Sequence, residues 1–451
     1  MAEIIQIKNN FFYLNNQRWS PKGVCYQPQD GVDPLSDDKL SVIQSLVEGN
    51  WKKLGINAVR VYQVDPSLPH DQVMNYLATN NIYVEIGAVT SQTAVNASNP
   101  QYTGSFLRRI KSVADAFAKY NNVLYFSISN EAITPGLSPG YAIPSIIKAA
   151  ARDLRAYMAQ QGYRNVPIGC AERDDPQYTI PAAAAYVCGP ANERLDILGY
   201  NCYRWAGGGL QGQLDAYYQL YQQFMFNGAT PVIPIIMTEF GANNVSPRLF
   251  DDIPYLFGNQ NVVSNGNNIN MANIFSGGFV FRYQEDGQHF GLVDSNNNPT
   301  SFGGFDNLQK AYQAISSFVA GTPNTSGVMN CGVLSGNPYN LPLPPTPGGG
   351  NGVPNDLSVT VTNEITPVTS IALTCHIDGG WTTVLSMSPG QAPSKAVIPA
   401  GTTEVQIVFK STQDSNWYQA CGVAQLASLK NGATIRGTWV APNGQGACPI
   451  S

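Results

Sequence analysis

Short apolar runs recur along the first 320 residues, and stretches with a helical pattern lie between them. A continuous apolar run bounded by turn signals is typical of a strand that is buried on both faces. Such runs predict strands at 23–26, 57–62, 82–89, 123–129, 166–170, 197–203, 233–239 and 278–283. The stretches between them predict helices at 37–54, 71–80, 102–120, 144–161, 211–225 and 305–318. Between 251 and 276, Asn and Gly are dense and the helix signal is weak.

The alternation of strands and helices predicts the architecture of this region. Strands that alternate with helices form βα units around a parallel sheet. Eight units in about 300 residues close naturally into an α/β fold, the (β/α)₈ TIM barrel, which we assign to residues 1–330. The functional groups of such a barrel lie on the face where its strands end.

Proline and glycine crowd the segment that follows the barrel, which is typical of a linker, and we place this linker at 331–354. Beyond it, alternating and β-branched runs predict a C-terminal all-β domain, a small β-sandwich at 355–451. Large aromatic residues in this domain form a carbohydrate-binding platform or, as we slightly favour, pack its core. These residues are Trp381, Trp417 and Trp439.

Charge is scarce along the chain: only 12% of its 451 residues are charged, and the net charge is −5. Nucleic acids and anionic membranes call for clustered Lys and Arg, so we expect neither as a partner. No apolar segment approaches the roughly 20 residues of a membrane span, and the first residues lack the basic and apolar regions of a signal peptide. A neutral polar ligand fits this composition better.

Cysteine and histidine limit the remaining chemistry. The eight cysteines suit disulfides, whose connectivity the sequence leaves open. The three histidines form no cluster with cysteine, and there is no Cys-x-x-Cys motif. We therefore expect no metal site and no cofactor, and Ser-His-Asp or Cys-His catalysis has few candidates.

Two glutamates stand where predicted strands leave the barrel core. Glu131 follows the apolar run that begins at position 123, and Glu239 closes the run that begins at 233. A catalytic pair of carboxylates at one rim is the leading interpretation. The alternative is a pair of structural carboxylates held in salt bridges, which few basic residues near these strand ends would supply.

Eight motifs occur in an order that is shared with one protein family. They are GVCYQP from position 23, INAVRVY from 56, SNE from 129, KAAARD from 148, GYRNVPIG from 162, GYNCYRW from 199, TEFG from 238 and SGGFVFRY from 276. Over roughly residues 5 to 318 the chain resembles the fungal cell-wall β-1,3-glucanosyltransferases, glycoside hydrolase family 72. Eight motifs in the same order make this resemblance specific.

The resemblance implies an activity and a set of site residues. It implies an enzyme at the cell surface or in the cell wall that cleaves and re-ligates β-1,3-glucan through a glycosyl-enzyme intermediate. It implies that Glu131 is the acid/base and that Glu239 is the nucleophile of a retaining reaction, which requires two carboxyls about 5 to 5.5 Å apart. It places the donor-sugar contacts at Gln27, Tyr62, Asn130, Tyr203 and Tyr283.

The chain departs from the family pattern at two places. Relatives carry Asp-Leu-Ser after the third strand, whereas segment 87–89 is Gly-Ala-Val here, so a donor-site carboxylate is missing. Glu85 and Glu285 are candidate replacements for it. Relatives also pair a cysteine near Cys188 with one just after the nucleophile, where this chain has Ala242.

Several candidate residues also have an ordinary structural interpretation. Asn130 either hydrogen-bonds a sugar 2-hydroxyl or caps a loop. Asp174 and Asp175, after the fifth strand, either contact acceptor sugars or form a turn. The aromatic residues near strand ends either stack on sugars or pack at the rim. These are Tyr26, Tyr62, Trp205, Tyr283 and Phe290.

The leading hypothesis is a retaining β-1,3-glucanosyltransferase that acts on β-glucan oligosaccharides or polysaccharides. A β-glucan hydrolase uses the same machinery, with water in place of the acceptor sugar. A non-catalytic glucan-binding or structural protein is the alternative from another class, motivated by the missing carboxylate and the additional domain. Retention of both glutamates argues against it, because binding alone does not need that pair. The sequence does not indicate an oligomeric state.

Overall fold

The computed structural model describes residues 2–28, 31–134, 140–207, 209–225, 232–315, 335–347, 357–363, 370–377, 380–388, 391–399, 402, 404–410, 417–422 and 434–437. The chain divides into two compact units. Met1–Gln101 and Arg109–Pro344 form the first, and Tyr102–Arg108 and Pro345–Ser451 form the second.

A three-stranded antiparallel sheet precedes the barrel and was not predicted from the sequence. Its strands are β1 (Gln6–Lys8), β2 (Phe11–Leu14) and β3 (Gln17–Trp19). Phe12 and Trp19 from this sheet belong to one buried apolar cluster with Tyr83, Tyr125 and Phe279 of the barrel. The sheet therefore contributes to the barrel core.

Eight parallel strands close the barrel, and the last of them pairs with the first. They are β4 (Lys22–Cys25), β5 (Ala58–Val61), β6 (Tyr83–Gly87), β7 (Val123–Asn130), β8 (Ile168–Arg173), β9 (Ile197–Asn201), β10 (Ile235–Phe240) and β13 (Phe275–Val280). Between β10 and β13, strands β11 (Val262–Ser264) and β12 (Asn267–Ile269) form a separate hairpin. Nearly all of their residues are buried, which is why the sequence shows continuous apolar runs instead of alternation. The (β/α)₈ prediction is confirmed.

Helices follow the strands as the sequence pattern indicated. They are α1 (Leu40–Leu46), α2 (Lys52–Leu54), α3 (Asp71–Thr79), α4 (Gly104–Phe117), α5 (Ile143–Gln161), α6 (Pro176–Val187), α7 (Gly209–Gln223), α8 (Ile253–Leu256) and α9 (Phe305–Ala314). Helix α6 was missed, because Pro176 at its start and Pro181 inside it resemble breakers. Across the described residues, none of the helices combines the length and apolarity that a bilayer crossing requires.

The predicted helix 37–54 contains a widened turn. A 3₁₀ turn precedes α1, and a π-helical turn, Val47–Trp51, joins α1 to α2. The segment ends at Gly55, whose φ of 72° is the left-handed conformation that closes many helices. Within the π turn, Trp51 is fully buried, and its ring makes edge-to-face contacts with the rings of Tyr26 and Tyr283.

The segment 251–276, where the helix signal is weak, holds one short helix and a hairpin. After α8, strands β11 and β12 pair antiparallel. Asn265 and Gly266 join them with φ values of 49° and 75°. Two successive left-handed residues make the tight turn that favours Asn-Gly, so this dipeptide was the signal for a hairpin.

In the described C-terminal part of the second unit, two sheets enclose an apolar core. Its strands are β14 (Leu357–Asn363), β15 (Ile371–Ile377), β16 (Gly380–Met387), β17 (Ser394–Ile398), β18 (Glu404–Lys410), β19 (Trp417–Gly422) and β20 (Thr434–Gly437). The sheet orders are β17-β14-β20 and β16-β15-β18-β19. Val359 and Ile398 of one sheet share a buried cluster with Leu373 and Ile407 of the other. The all-β prediction is confirmed, whereas the side chains of the three tryptophans lie outside the described residues.

Candidate active site

The carboxyl ends of neighbouring barrel strands bring the candidate catalytic groups to one face. Strand β7 ends at Asn130 and Glu131 follows it, while Glu239 lies near the end of β10. Asn130 pairs with Ala171 of β8, and Glu239 pairs with Asn201, the last residue of β9. Because parallel strands end on the same face, these side chains share one rim.

Glu239 carries a carboxylate that is surrounded by donors. Its Oε1 accepts hydrogen bonds from Arg60 Nη1 at 2.8 Å and from the Tyr62 hydroxyl at 2.7 Å, and its Oε2 accepts one from the Tyr203 hydroxyl at 2.6 Å. Burial raises the pKa of Tyr62 and of Tyr203, so both phenols keep their protons and donate. This donor set matches an ionised carboxylate, which only accepts.

Glu131 occupies an unusual backbone conformation. Its φ of 50° lies in the left-handed region, which is uncommon outside glycine and is found at functional sites. Its amide donates to the Ala171 carbonyl oxygen at 2.8 Å. The Glu131 carboxyl accepts from Asn201 Nδ2 at 2.8 Å and from Arg173 Nη2 at 3.2 Å. Its side chain is 30% exposed, against 9% for Glu239, so Glu131 is the more accessible carboxyl.

Two asparagines join the surroundings of the two glutamates. The Asn201 Nδ2 that donates to Glu131 also lies 3.3 Å from Asn130 Oδ1. The same Asn130 oxygen accepts from Arg60 Nη2 at 2.8 Å. These donors define the amide orientation of Asn130, whose nitrogen makes no hydrogen bond to the described part of the chain.

Arg60 is a buried cation beneath the site, with 2% of its side chain exposed. Its Nε contacts Glu85 Oε1 at 3.0 Å, and its Nη1 also donates to the Thr238 carbonyl oxygen at 3.1 Å. Burial opposes the charge of Arg60, but Tyr62, Glu85 and Glu239 together raise its pKa above the ordinary arginine value. Arg60 therefore remains protonated and compensates the carboxylates around it.

A cleft of about 640 Å³ lies beside these groups, a volume typical of small-ligand sites. The only ionised side chain that lines it within the described residues is Arg282, which donates to the Gln27 carbonyl oxygen and to Asp286. The other lining residues are Gln27, Gly31, Tyr62, Gln63, Val89, Thr90, Ser91, Gln92, Ala94, Asn130 and Phe281. Amides, hydroxyls and an aromatic face suit a neutral, hydroxyl-rich ligand.

A family model described as glucanosyltransferase, that of glycoside hydrolase family 72, matches residues 1–316. This chain belongs to that family. The 1,3-β-glucanosyltransferase gas5 of Schizosaccharomyces pombe is 30% identical over 369 residues, which cover 78% of this chain and 68% of gas5. The 1,3-β-glucanosyltransferase gel1 of Aspergillus fumigatus is 31% identical over 321 residues, covering 69% and 66%. The chain thus spans about two thirds of the length of these relatives.

Solved structures of the family share its fold. Saccharomyces cerevisiae Gas2p in complex with laminaripentaose is similar with a TM-score of 0.62 and 28% identity, and the match covers 72% of each chain. Gas2p with laminaritriose and laminaritetraose is similar with the same TM-score, 0.62, at 27% identity. Membership of family 72 makes the protein an enzyme of the glycoside hydrolase and transglycosylase class.

The structure brings several of the predicted glucanosyltransferase site residues together and separates one of them. Tyr62 and Tyr203 contact Glu239, and Asn130 lies at the cleft. Gln27 also lines the cleft, but its Oε1 accepts from the Tyr62 amide at 3.2 Å and its Nε2 donates to a backbone oxygen. Tyr283 differs from the prediction: it is 0% exposed, so its ring packs in the core and cannot contact a sugar in this structure.

Contacts in the core hold the Tyr283 side chain. It accepts a hydrogen bond from Asn50 Nδ2 at 3.0 Å, and the ring packs against Trp51 and Tyr26. Trp205 is also nearly buried, and its Nε1 donates to an aspartate. For Tyr26, Trp205 and Tyr283 the packing interpretation applies, whereas Phe290 is partly exposed beside Tyr203.

Asp174 and Asp175 take structural positions after β8. Asp174 forms two hydrogen bonds with Arg204, at 2.6 and 2.7 Å, and accepts a third from the Tyr200 hydroxyl at 2.9 Å. Asp175 immediately precedes α6, and its carbonyl oxygen accepts the Thr179 amide. Asp174 is therefore engaged in an ion pair, and Asp175 forms the turn into the helix, which is the ordinary structural alternative for this pair.

Neither proposed replacement for the missing family aspartate reaches the cleft. Glu85 is fully buried beneath Arg60. Glu285 accepts three backbone amides of its own loop, including those of His289 at 2.8 Å and Gly291 at 2.6 Å. A Cβ at Gly87 would lie 2.0 Å from the Tyr62 carbonyl oxygen, so this backbone has no room for any side chain there. The glycine is a packing requirement of this barrel.

The cysteine pattern differs from the family pattern as the sequence indicated. Cys188 is disulfide-bonded. Ala242 cannot be its partner, because alanine has no sulfur. Within the described residues Cys25, Cys170, Cys202 and Cys375 are free and buried, and burial raises the pKa of the Cys25 thiol to about 12. These thiols are therefore inert and pack as apolar side chains.

Sequence reasoning missed three polar residues of the site. Arg60, Arg173 and Asn201 received no role from the sequence. Arg60 stands between Val59 and Val61, and Asn201 ends a strand, so each was a polar residue in an apolar run. A polar residue in a buried strand requires a partner, and this was the available signal.

We expect Tyr203→Phe and Tyr62→Phe each to lower the turnover number about 10- to 100-fold, because each removes one donor to a charged oxygen of Glu239. Steady-state kinetics on laminari-oligosaccharides provide the measurement. Tyr312→Phe is the matched control, since this buried hydroxyl donates to the Gly23 carbonyl oxygen at 2.9 Å and makes no hydrogen bond to a carboxylate of the described residues. Unchanged turnover in Tyr203→Phe would contradict a role for this donor.

Proposed function

We propose that this protein is a retaining β-1,3-glucanosyltransferase in which Glu239 is the nucleophile and Glu131 is the acid/base. The observation that carries the proposal is the three-donor environment of Glu239 on the same rim as Glu131. A structural carboxylate would be closed by a bidentate arginine, but Arg60 contacts Glu239 through one nitrogen only. The carboxylate therefore keeps lone pairs for attack.

The proposed reaction has two displacements. An oxygen of Glu239 attacks the anomeric carbon of the donor glucan, the glycosidic bond breaks, and the departing oxygen takes the proton of Glu131. Glu131 then removes the proton of an acceptor-sugar hydroxyl, whose oxygen attacks the same carbon and releases Glu239. Both carboxyls return to their starting states, and the sugar configuration is retained.

Asn130 is proposed to recognise the sugar in the donor cleft. Its oxygen is occupied by Arg60 and Asn201, which leaves the amide nitrogen to donate to a sugar 2-hydroxyl. Such a contact strengthens in the transition state of glycoside cleavage. Tyr62 and Gln27 border the same cleft and complete a neutral polar surface for the donor chain.

The β-1,3-glucan substrate is inferred from the relatives and from the charge of the cleft. The relatives gas5 and gel1 are named 1,3-β-glucanosyltransferases, and Gas2p binds laminari-oligosaccharides. The cleft of this chain is polar and nearly uncharged, as a neutral glucan requires. A location at the cell surface or in the cell wall follows from the same substrate. For the C-terminal all-β domain, glycan binding is an additional proposed role. For its tryptophans, we favour core packing over contact with a glycan.

Transfer and hydrolysis give different products from one substrate. We expect incubation with a reduced laminari-oligosaccharide to yield chains longer than the substrate, because an acceptor sugar intercepts the glycosyl-enzyme. Sizing of the products by high-performance chromatography or mass spectrometry measures this outcome. Shorter products alone identify a hydrolase. Binding without any product, at high enzyme concentration, would support the non-catalytic alternative.

A further inference from the structure

Behind the acid/base lies a second carboxyl that the proposed reaction does not use. Glu172 lies on β8 directly after Ala171, whose carbonyl oxygen accepts the Glu131 amide. Only 1% of Glu172 is exposed. Its Oε1 accepts a hydrogen bond from the Tyr186 hydroxyl of α6 at 2.7 Å. Its Oε2 has no hydrogen-bond partner among the described residues.

The surroundings of Glu172 favour its neutral form. Burial raises the pKa of Glu172 to about 7, although the Tyr186 hydroxyl and the Ile133 amide act in the opposite direction. The charged and titratable groups that face Glu172 come from its own strand, from the turn after β7, from α6 and from the segment that follows the barrel. They are Glu131, Cys170, Arg173, Tyr186 and Tyr339. At acidic pH Glu172 is therefore a neutral, buried carboxyl.

The turn that carries the acid/base lies beside Glu172. Ala171, the preceding residue of β8, accepts the Glu131 amide at 2.8 Å. Ile133, two residues after Glu131, is buried, and its amide lowers the pKa of the Glu172 carboxyl. The left-handed backbone of Glu131 persists only if its surroundings enforce it. A buried carboxyl with an unpaired oxygen costs stability, and such costs are retained mainly at functional sites.

We propose that Glu172 is a positioning residue for Glu131, an inference that rests on the proposed function. Its neutral carboxyl supports the turn 131–133 from inside the fold and keeps the Glu131 carboxyl within reach of the departing oxygen. Glu172 acts through Glu131 alone, because its burial prevents contact with a sugar.

Two substitutions compare removal of the Glu172 side chain with its conservative replacement. Glu172→Ala removes the support, and we expect the turnover number on laminari-oligosaccharides to fall about 10- to 100-fold with little change in KM, as a displaced catalytic group predicts. Glu172→Gln keeps the shape of the neutral carboxyl and an oxygen that accepts from the Tyr186 hydroxyl, so we expect its turnover to stay near wild type at pH 5. Steady-state kinetics at pH 5 provide the measurement.

The leaving group shows whether the defect passes through the acid/base. An aryl β-laminaribioside releases a phenolate that needs no proton, so general acid assistance contributes little to its cleavage. With this donor, we expect Glu172→Ala to form the glycosyl-enzyme at a rate close to that of the wild type. The rate of the phenolate burst measures this step. An equal loss on both donors would mean general damage to the fold and would overturn the proposal.

Asp252 supplies a matched control. It is buried, burial raises its pKa to about 7, and a tyrosine hydroxyl, that of Tyr217, lies 3.2 Å from it. Both carboxyls ionise in the unfolded chain near their ordinary pKa of 4.5 or 3.8 but only near 7 in the folded one, so each makes stability fall as pH rises through that window. Glu172→Gln and Asp252→Asn should each reduce the fall in Tm between pH 4 and 7.

Only Glu172→Ala should lower turnover and alter the ratio between the two donors. Wild-type kinetics in Glu172→Ala would overturn the proposal, as would an equal kinetic effect in Asp252→Asn. An inactive wild-type protein would instead contradict the proposed function itself. The two failures are therefore distinguishable in one set of assays.

Discussion

Glu239→Gln is expected to reduce glucan transfer by about four orders of magnitude or more, because loss of a nucleophile removes the covalent route. The amide is isosteric with the carboxyl and keeps an oxygen for the donors around it, so the fold should persist. Product formation from a laminari-oligosaccharide and the Tm provide the measurements. Near-normal transfer in this variant would remove Glu239 from the mechanism.

Chemical rescue distinguishes the roles of the two glutamates. With Glu239→Ala and an activated aryl donor, azide should replace the missing nucleophile and give an α-glycosyl azide by one displacement. With Glu131→Ala, the glycosyl-enzyme still forms from the same donor, and azide should give the β-glycosyl azide after two displacements. Opposite products, or the same product from both variants, would contradict the assignment.

Arg60→Met is expected to destabilise the protein by about 3 to 5 kcal/mol, the usual consequence of removing one partner of a buried ion pair. Arg60 contacts both Glu85 and Glu239, and Glu85 is 0% exposed, so its charge would have no compensation and no water. Urea denaturation measures the free energy of unfolding. Transfer activity should also fall, because Asn130 and Glu239 each lose a donor.

A double variant separates the two effects of Arg60. Arg60→Met with Glu85→Gln removes the uncompensated buried carboxylate, so much of the lost stability should return while activity stays low. The single variant Glu85→Gln controls for the amide alone. If activity returned together with stability, Arg60 would serve the fold and have no separate role at the nucleophile.

Local pattern determined the architecture and the positions of the two glutamates. Each barrel strand is buried on both faces, so it needs an unbroken apolar run, and the run for β7 ends directly before Glu131. A carboxylate in that place lies on the face where strands end, whatever the details of packing. The helix end at Gly55 followed from local chemistry in the same way.

Contacts between distant strands determined the rest of the candidate site. Arg60 lies within an apolar strand, and Glu85 pairs with it on the neighbouring strand. Glu239 and Asn130 come from strands further around the closed barrel. The resemblance suggested Tyr283 as a sugar contact, but the π-helical turn places Trp51 against its ring and buries it. A family motif gives the position of a residue along the strand, whereas its neighbours decide whether it reaches the cleft.

Gly87 and Glu172 also show which features the sequence determines and which depend on tertiary contacts. The sequence showed that an aspartate was missing at position 87, but only the backbone of Tyr62 shows that no side chain fits there. Glu172 received no role in the sequence analysis, because the predicted strand ended at position 170. Its carboxyl is buried against Tyr186, which comes from α6. Strand patterns are local and survive in the sequence, whereas burial and partner choice arise from contacts between residues far apart in the chain.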